Sequence, residues 1–278
     1  MNNLAIAGLI LIAVNLWVSY RGFTQPPFYQ RFLFDVDRIL IGREYGRLIT
    51  SGFLHVNWLH LIFNMLTLYA FSEALEVYMG SGPFLLVYFA ALLAGNLFSL
   101  FVHRNHGDYT AVGASGAVSG VLFAFITLFP TMEIGLFGLP LHIPGWTYGL
   151  LYVFISILGM RNGWGNISHE AHLGGAVTGS TIAILLYPTM ALDNILFTVL
   201  MLLPSVLFML LVILRPGMLL TTPSAQKKGR YSLEDRYNVQ KKAKQQEIDR
   251  ILEKLHRSGM KSLTKKEKEE LELYSRGR

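Results

Sequence analysis

Seven apolar stretches, near residues 4–20, 57–72, 83–103, 115–129, 146–160, 169–188 and 194–214, govern what this 278-residue chain can fold into. A helix needs about 17–25 mainly apolar residues to cross the hydrocarbon core of a bilayer. Within that layer every backbone N–H and C=O must find its partner inside protein. The spacing therefore predicts an all-α polytopic membrane protein, with the shorter and more polar stretches facing protein instead of lipid. The first stretch lacks a basic leading region and a small-residue cleavage site, so it reads as a span and not as a removed signal.

Composition agrees: 52% of the residues are hydrophobic and 15% charged, where a soluble domain carries about 25% charged. The absence of cysteine excludes disulfides, thiolate metal sites and a Cys nucleophile. The net charge of +6 is segregated, since every lysine lies at Lys227 or later and residues 1–214 hold seven arginines against nine acids. The chain thus divides into a near-neutral apolar body and a basic tail. Residues 21–56 combine five arginines with Pro26-Pro27 and the aromatics Phe28, Tyr29, Phe32 and Phe34. That mixture suits the headgroup layer. Pro204 predicts a kink in the last stretch, or its division into two interfacial pieces.

Residues 216–230 read as a linker. Beyond it Ile248, Ile251, Leu252 and Leu255 recur at helical spacing on a charged helix that Gly259 could end. Thr264-Lys-Lys-Glu267 has the form of a capping box opening a second helix, with Leu271 and Leu273 as its apolar positions. A basic helical hairpin follows. Interleaved acids and the lack of a reading helix or aromatic platform argue against nucleic acid, leaving solvated surface or anionic lipid as its setting.

Strongly polar groups inside a span are costly and point to function. Three clusters qualify. His60-Leu-Ile-Phe-Asn64 places imidazole and carboxamide on one helix face; Gly113-Ala-Ser115-Gly116 turns a loop into an apolar segment at a serine between glycines; His169-Glu-Ala-His172-Leu-Gly-Gly175 opens the sixth stretch. Taken singly, each has a structural reading: Ser115 as a packing residue, Asn64 as interhelical glue, His60 and His172 as buried imidazoles, His169 at the headgroup level. As a set they lie near the starts of the second, fourth and sixth spans, which run in the same direction and so share one membrane side.

Peptide hydrolysis could use them together. Ser115 would attack, with His172 as general base and then general acid. Asn64, His60 and the backbone N–H near Ser115 could stabilise the developing oxyanion. Gly116-x-x-x-Gly120 and Gly175-x-x-x-Gly179 would let the fourth and sixth spans approach backbone to backbone. Glu170 sits two residues from His172, roughly 200° around the helix, which makes it a poor third member of a triad. A zinc protease is the rival reading, because His169-Glu-Ala-His172 resembles H-E-x-x-H, but it is one residue short and no third ligand is evident. No metal or cofactor is expected.

At these residues the chain resembles the rhomboid family of intramembrane serine proteases over about 35–190. The motifs are Arg47-x-x-Thr50-x-x-Phe53-x-His55, His60-x-x-x-Asn64-Met65, Leu75-Glu76 with Gly80, Gly113-Ala-Ser115-Gly116 and Ala171-His172-x-x-Gly175. The resemblance implies a Ser115–His172 dyad, oxyanion stabilisation by Asn64 and His60, and structural support from Gly113, Gly116, Gly120, Gly175, Gly179, Arg47 and Glu76. It further implies a water-filled cavity open to one membrane face and transmembrane protein substrates, cut in or near their helix after a small residue. The family often has an aromatic residue four positions after the nucleophile, stacked on the catalytic histidine. That position here is Ser119, so the resemblance does not say what holds the His172 ring. Gly46 stands before Arg47, where many members carry tryptophan.

The implied core has six spans, giving residues 1–190 as core, 191–215 as an additional C-terminal span, 216–230 as linker and 231–278 as the hairpin, which resembles a short module on some bacterial rhomboids. The expected location is a bacterial inner (cell) membrane. With seven spans the body arginines and the basic tail share the side near Ser115 and His172. Positive charge favours the cytoplasm, whereas bacterial members of the family usually open their sites away from it, so orientation stays open between these readings. A catalytically silent relative that binds or escorts transmembrane clients is the alternative function, and a transporter a third. Retention of Ser115, His172, His60 and Asn64 together argues against the former, and the lack of an inverted repeat against the latter.

Overall fold

Each of the seven apolar stretches is a helix in the computed structural model, which describes residues 5–135, 142–164, 167–215 and 233–276. The first described helix is α1 (Ile6–Thr24), and the connection to the second span then forms three short α-helices, α2 (Pro26–Phe32), α3 (Val36–Leu40) and α4 (Arg47–Thr50), the last followed by a 3-10 turn over Ser51–Phe53. The bundle continues through α5 (Trp58–Met79), α6 (Ser81–His103), α7 (Ser115–Leu128), α8 (Gly145–Asn162) and α9 (His169–Leu186). A short α10 (Pro188–Asp193) leads to α11 (Ile195–Leu214), and the tail forms α12 (Leu233–Ser258) and α13 (Lys265–Arg276). Two small antiparallel pairs brace the loops. β1 (Phe34–Asp35) pairs with β2 (Thr110–Ala111), Phe34 opposite Ala111, and β3 (Glu133–Gly135) pairs with β4 (His142–Pro144), Ile134 opposite Ile143.

Among the described residues α1, α6 and α11 are long and apolar enough to cross a membrane on their own composition. α7 is apolar but has 14 residues, rising about 21 Å at 1.5 Å per residue. That is short for a lipid-facing span, and every residue of α7 from Gly116 to Leu128 is buried. It is the central helix, enclosed by protein, so a match to lipid thickness is not required of it. α5 carries His60 and Asn64, α9 carries His169, Glu170 and His172, and Ser115 opens α7.

Several features differ from the sequence expectations. The second stretch does not end near residue 72, because α5 continues to Met79 and stops at Gly80 with φ +83°. Its extra turns face α1: the Glu76 carboxylate accepts the N–H groups of Ala7 and Gly8, both at 2.9 Å, and the Ser81 hydroxyl at 2.6 Å. Those N–H groups are among the four that any helix leaves unpaired at its start. α11 runs unbroken through Pro204, so it is not divided into two interfacial pieces.

In the tail, Gly259 (φ +73°) ends α12, and Ile248, Ile251 and Leu263 are buried between the two helices. The capping box forms in both directions: Thr264 N–H donates to Glu267 Oε2 at 2.7 Å and Glu267 N–H to Thr264 Oγ1 at 3.3 Å. Arg38 of α3 donates to Gln246 of α12, joining the hairpin to the 21–56 connection. The linker 216–230, the tail ends 231–232 and 277–278, and the Leu273 side chain lie outside the described residues.

Candidate active site

Glycine is what brings the fourth and sixth spans together. A Cβ on Gly175 would stand 2.0 Å from the Gly116 carbonyl oxygen, and one on Gly179 would stand 2.0 Å from that of Gly120. Both obstacles are backbone, so α7 and α9 could not approach this closely with any other residue there. Ser115 is the first residue of α7 and His172 lies in the first turn of α9. At that end of the contact, Ser115 Oγ and His172 Nε2 are 2.7 Å apart.

The segment leading to Ser115 is held from below. Gly113 takes φ +143°, and a Cβ on it would lie 2.8 Å from Cε1 of His60. Its N–H donates to the Ser51 carbonyl at 3.1 Å, and the next N–H, that of Ala114, donates to His55 Nε2 at 3.4 Å. His55 Nδ1 meets Ser19 Oγ at 2.8 Å, and that hydroxyl reaches the Phe53 carbonyl at 2.9 Å. Acceptance at Nε2 leaves the His55 proton on Nδ1, where it donates to Ser19. Burial, followed by the nearby His60, lowers His55 to about 3, so it is a neutral imidazole at ordinary pH.

Asn64 is buried, and its amide donates one N–H to the His60 carbonyl at 2.9 Å, leaving the second available. Asn57 starts this helix by accepting the His60 N–H at 2.9 Å. The rings of His55 and His60 meet edge to face with centroids 5.0 Å apart. Arg47, buried despite its charge, donates to the carbonyls of Gln30 (3.1 Å) and Leu33 (2.7 Å) and pairs with Glu44 at 2.6 Å. It thereby ties α2 to α4. At Gly46, where many relatives in the family carry a larger side chain, a Cβ would meet open space among the described residues.

Sequence reasoning missed the neighbour of His172. Tyr152 of α8 sits beside the imidazole with ring centroids 5.9 Å apart and planes 34° from parallel. Its hydroxyl lies 2.6 Å from Ser119 Oγ, which also donates to the Ser115 carbonyl at 2.6 Å. An aromatic residue at 119 would occupy the space that Tyr152 fills from the fifth span. The signal in the sequence was the Tyr148/Tyr152 pair at helical spacing, which places two phenols on one face of an apolar helix.

Glu170 turns away from Ser115 toward α6 and accepts from Ser99, Ser168, His103 and Tyr109. His169 packs its ring over Gly159, where a Cβ would lie 2.2 Å from Nε2. Among the described residues no group of three or more His, Asp or Glu is arranged to hold a metal ion.

Residues 42–189 match the rhomboid domain. The chain belongs to the rhomboid family. Residues 231–277 match a second family, described only as one of unknown function (DUF6576). The rhomboid core is similar to Rhomboid protein 1, mitochondrial, of Saccharomyces cerevisiae, 34% identical over 178 residues covering 62% of this chain and 51% of that protein. RHOMBOID-like protein 12, mitochondrial, of Arabidopsis thaliana is 30% identical over 191 residues, 63% of this chain and 56% of that one. Rhomboid protease GluP of Bacillus subtilis is 34% identical over 136 residues, 49% of this chain and 25% of its own. The chain spans about half the length of the first two relatives. As a rhomboid it is an integral membrane protein, built on an all-α polytopic core.

Proposed function

We propose that this rhomboid is an intramembrane serine endopeptidase that cleaves membrane-anchored proteins in or near their transmembrane helix. The observation that carries the reading is the 2.7 Å hydrogen bond between Ser115 Oγ and His172 Nε2. In this reading the Ser115 proton passes to His172 Nε2 as Oγ bonds to the scissile carbonyl carbon. The tetrahedral intermediate carries its charge on the former carbonyl oxygen. When it collapses, His172 gives the proton to the leaving amine, and an acyl group remains on Ser115. Water, deprotonated by His172, then releases the acyl group as a carboxylate.

Charge on the oxyanion needs donors fixed in advance. The free N–H of Asn64 and the imidazole of His60 are two candidates. The first turn of α7 is a third, because Val118 N–H, bonded to the Ala114 carbonyl at 2.9 Å, closes the first helical ring and leaves the N–H groups before it without a helical acceptor. Gly113, Gly116, Gly120, Gly175, Gly179, Arg47 and Glu76 act in support, by the contacts described above. Substrates are read as transmembrane proteins reaching the site through the bilayer, after local unwinding of their helix. The bacterial cell membrane remains the proposed location, in a family that occurs in a bacterium and in mitochondria alike.

The test is cleavage of a single-span model substrate by the full-length protein in proteoliposomes. Ser115→Ala should abolish product, and His172→Ala should lower the rate by about 10²–10⁴. Undiminished cleavage in both variants would refute the assignment.

A further inference from the structure

Glu170 is a charged group in a place where charge is expensive, and the dyad makes no use of it. It is the second residue of α9, 5% exposed. One oxygen, Oε1, receives four donors: Ser168 Oγ at 2.8 Å, Tyr109 Oη at 2.8 Å, His103 Nε2 at 2.9 Å and Ser99 Oγ at 3.1 Å. An ionised carboxylate, which only accepts, suits such a convergence, and bonds of this kind are about twice as strong as neutral ones. The same burial makes an incomplete set costly.

The donors come from different parts of the chain. Ser99 and His103 belong to the last turns of α6. Tyr109 belongs to the 104–114 loop and lies flat on the His103 ring, with centroids 3.5 Å apart and planes 5° from parallel. Burial, and then the charge of Glu170, push the Tyr109 phenol above its usual range, so it stays protonated and donates. Beyond Tyr109 the chain pairs with β1, turns at Gly113 and reaches Ser115. Tyr109 also accepts the Val36 N–H at 3.2 Å on its carbonyl, which fixes the segment from its other side. In the opposite direction, Glu170 is two residues from His172. At the residue between them α6 and α9 touch through backbone, since a Cβ on Gly95 would stand 2.5 Å from the Ala171 carbonyl oxygen.

We propose that Glu170 is a positioning residue, whose carboxylate ties the helix carrying His172 to the segment that delivers Ser115 and thereby sets the distance between them. The kinetic part of this proposal rests on the protease reading; the structural tie does not. Neither end of the Ser115–His172 bond is held by the other alone, because α9 and the 104–114 loop share one anchor on the far side of α9.

The experiment uses the full-length protein in proteoliposomes with Glu170→Gln, which keeps the shape and removes the charge, and Tyr109→Phe, which keeps the ring stack and removes one donor. Displacements of about 1 Å at reacting groups cost on the order of a hundredfold in rate. Glu170→Gln should therefore lower kcat for the model substrate by roughly ten- to a hundredfold, with KM within about twofold, and Tyr109→Phe should lower kcat less. Hydrogen–deuterium exchange supplies a readout independent of activity: amides 109–115 and 169–173 should exchange faster in both variants, with α1 and α5 unchanged. Unchanged kcat together with unchanged exchange in Tyr109→Phe, or faster exchange throughout the protein, would overturn the proposal. If the wild type cleaves nothing, the protease reading falls, and the exchange measurement still decides the tie. If Glu170→Gln does not fold, Tyr109→Phe carries both measurements.

Discussion

The His172 imidazole has one ring nitrogen on Ser115 and a phenol ring beside it, and both contacts bear on its orientation. An aromatic contact of this kind is worth about 0.5–1.5 kcal/mol, or roughly two- to tenfold in rate if it is made more fully in the transition state. Tyr152→Leu should thus lower kcat by that factor. Tyr152→Phe, which keeps the ring and releases Ser119, should fall between it and wild type. Equal activity of all three in the proteoliposome assay would show that the ring does not position His172. His55 makes a prediction of a different kind. Its folded form stays neutral down to about pH 3, whereas in the unfolded chain it takes up a proton near pH 6.5. Between those values the unfolded state binds more protons, so stability must fall as pH is lowered through the window, by up to about 1.4 kcal/mol per pH unit. Denaturation midpoints in detergent measured from pH 7 to 5 should show a shallower slope for His55→Gln than for wild type.

Close approach of α7 and α9 is a property of elements, and it rests on residues without side chains. Gly179→Val would drive a Cβ into the Gly120 carbonyl, an obstacle that cannot rotate away. Overpacking typically costs about 1–3 kcal/mol and here should reach the upper part of that range. Gly46→Ala, where nothing lies within 4 Å, should be neutral. A denaturant series on both variants checks the contrast, and equal midpoints would contradict it. This contact was legible in advance because small residues four apart on two apolar helices state their own purpose. So was the placement of His60, Asn64, Ser115 and His172 near parallel span starts. Less could be read where tertiary partners decide. α5 runs seven residues past its apparent end because Glu76 has a helix terminus to satisfy, and no local pattern announces that. Tyr152 and the four donors around Glu170 are drawn from segments remote in sequence, whose meeting depends on the whole bundle. Ser119, which looked like a missing part, is the hydroxyl that meets Tyr152.

For the whole molecule the question is how the basic tail relates to the core. We propose that α11 crosses as a seventh span, which would put its end on the side of the 21–56 connection, the connection to which the Arg38–Gln246 contact joins the tail. Reporters placed in residues 21–56 and at the C-terminus should therefore show the same protease accessibility in intact cells. Opposite accessibility would mean that α11 does not cross. The hairpin carries its own pH signature. The Lys254 ammonium and the Thr264 backbone hold the Glu267 carboxyl down at about 2. Its contribution is present above the usual carboxylate range and is lost as pH falls from about 4.5 toward 2, because there the unfolded tail binds the proton that the folded one refuses. Protection of the amides across residues 245–276 of the full protein, taken relative to the intrinsic exchange rate at each pH, should fall in that window, and Glu267→Gln should remove most of the change.

We propose that Ser115, activated by His172, is a nucleophile inside the membrane. It is tested most directly by exposing the purified full-length protein to a fluorophosphonate and locating the adduct by peptide mapping. The expected result is a single phosphonylated residue, Ser115, with labelling lost in Ser115→Ala and slowed by about 10²–10⁴ in His172→Ala. A folded wild-type protein that takes up no label, or one whose label lies on another residue, would contradict it.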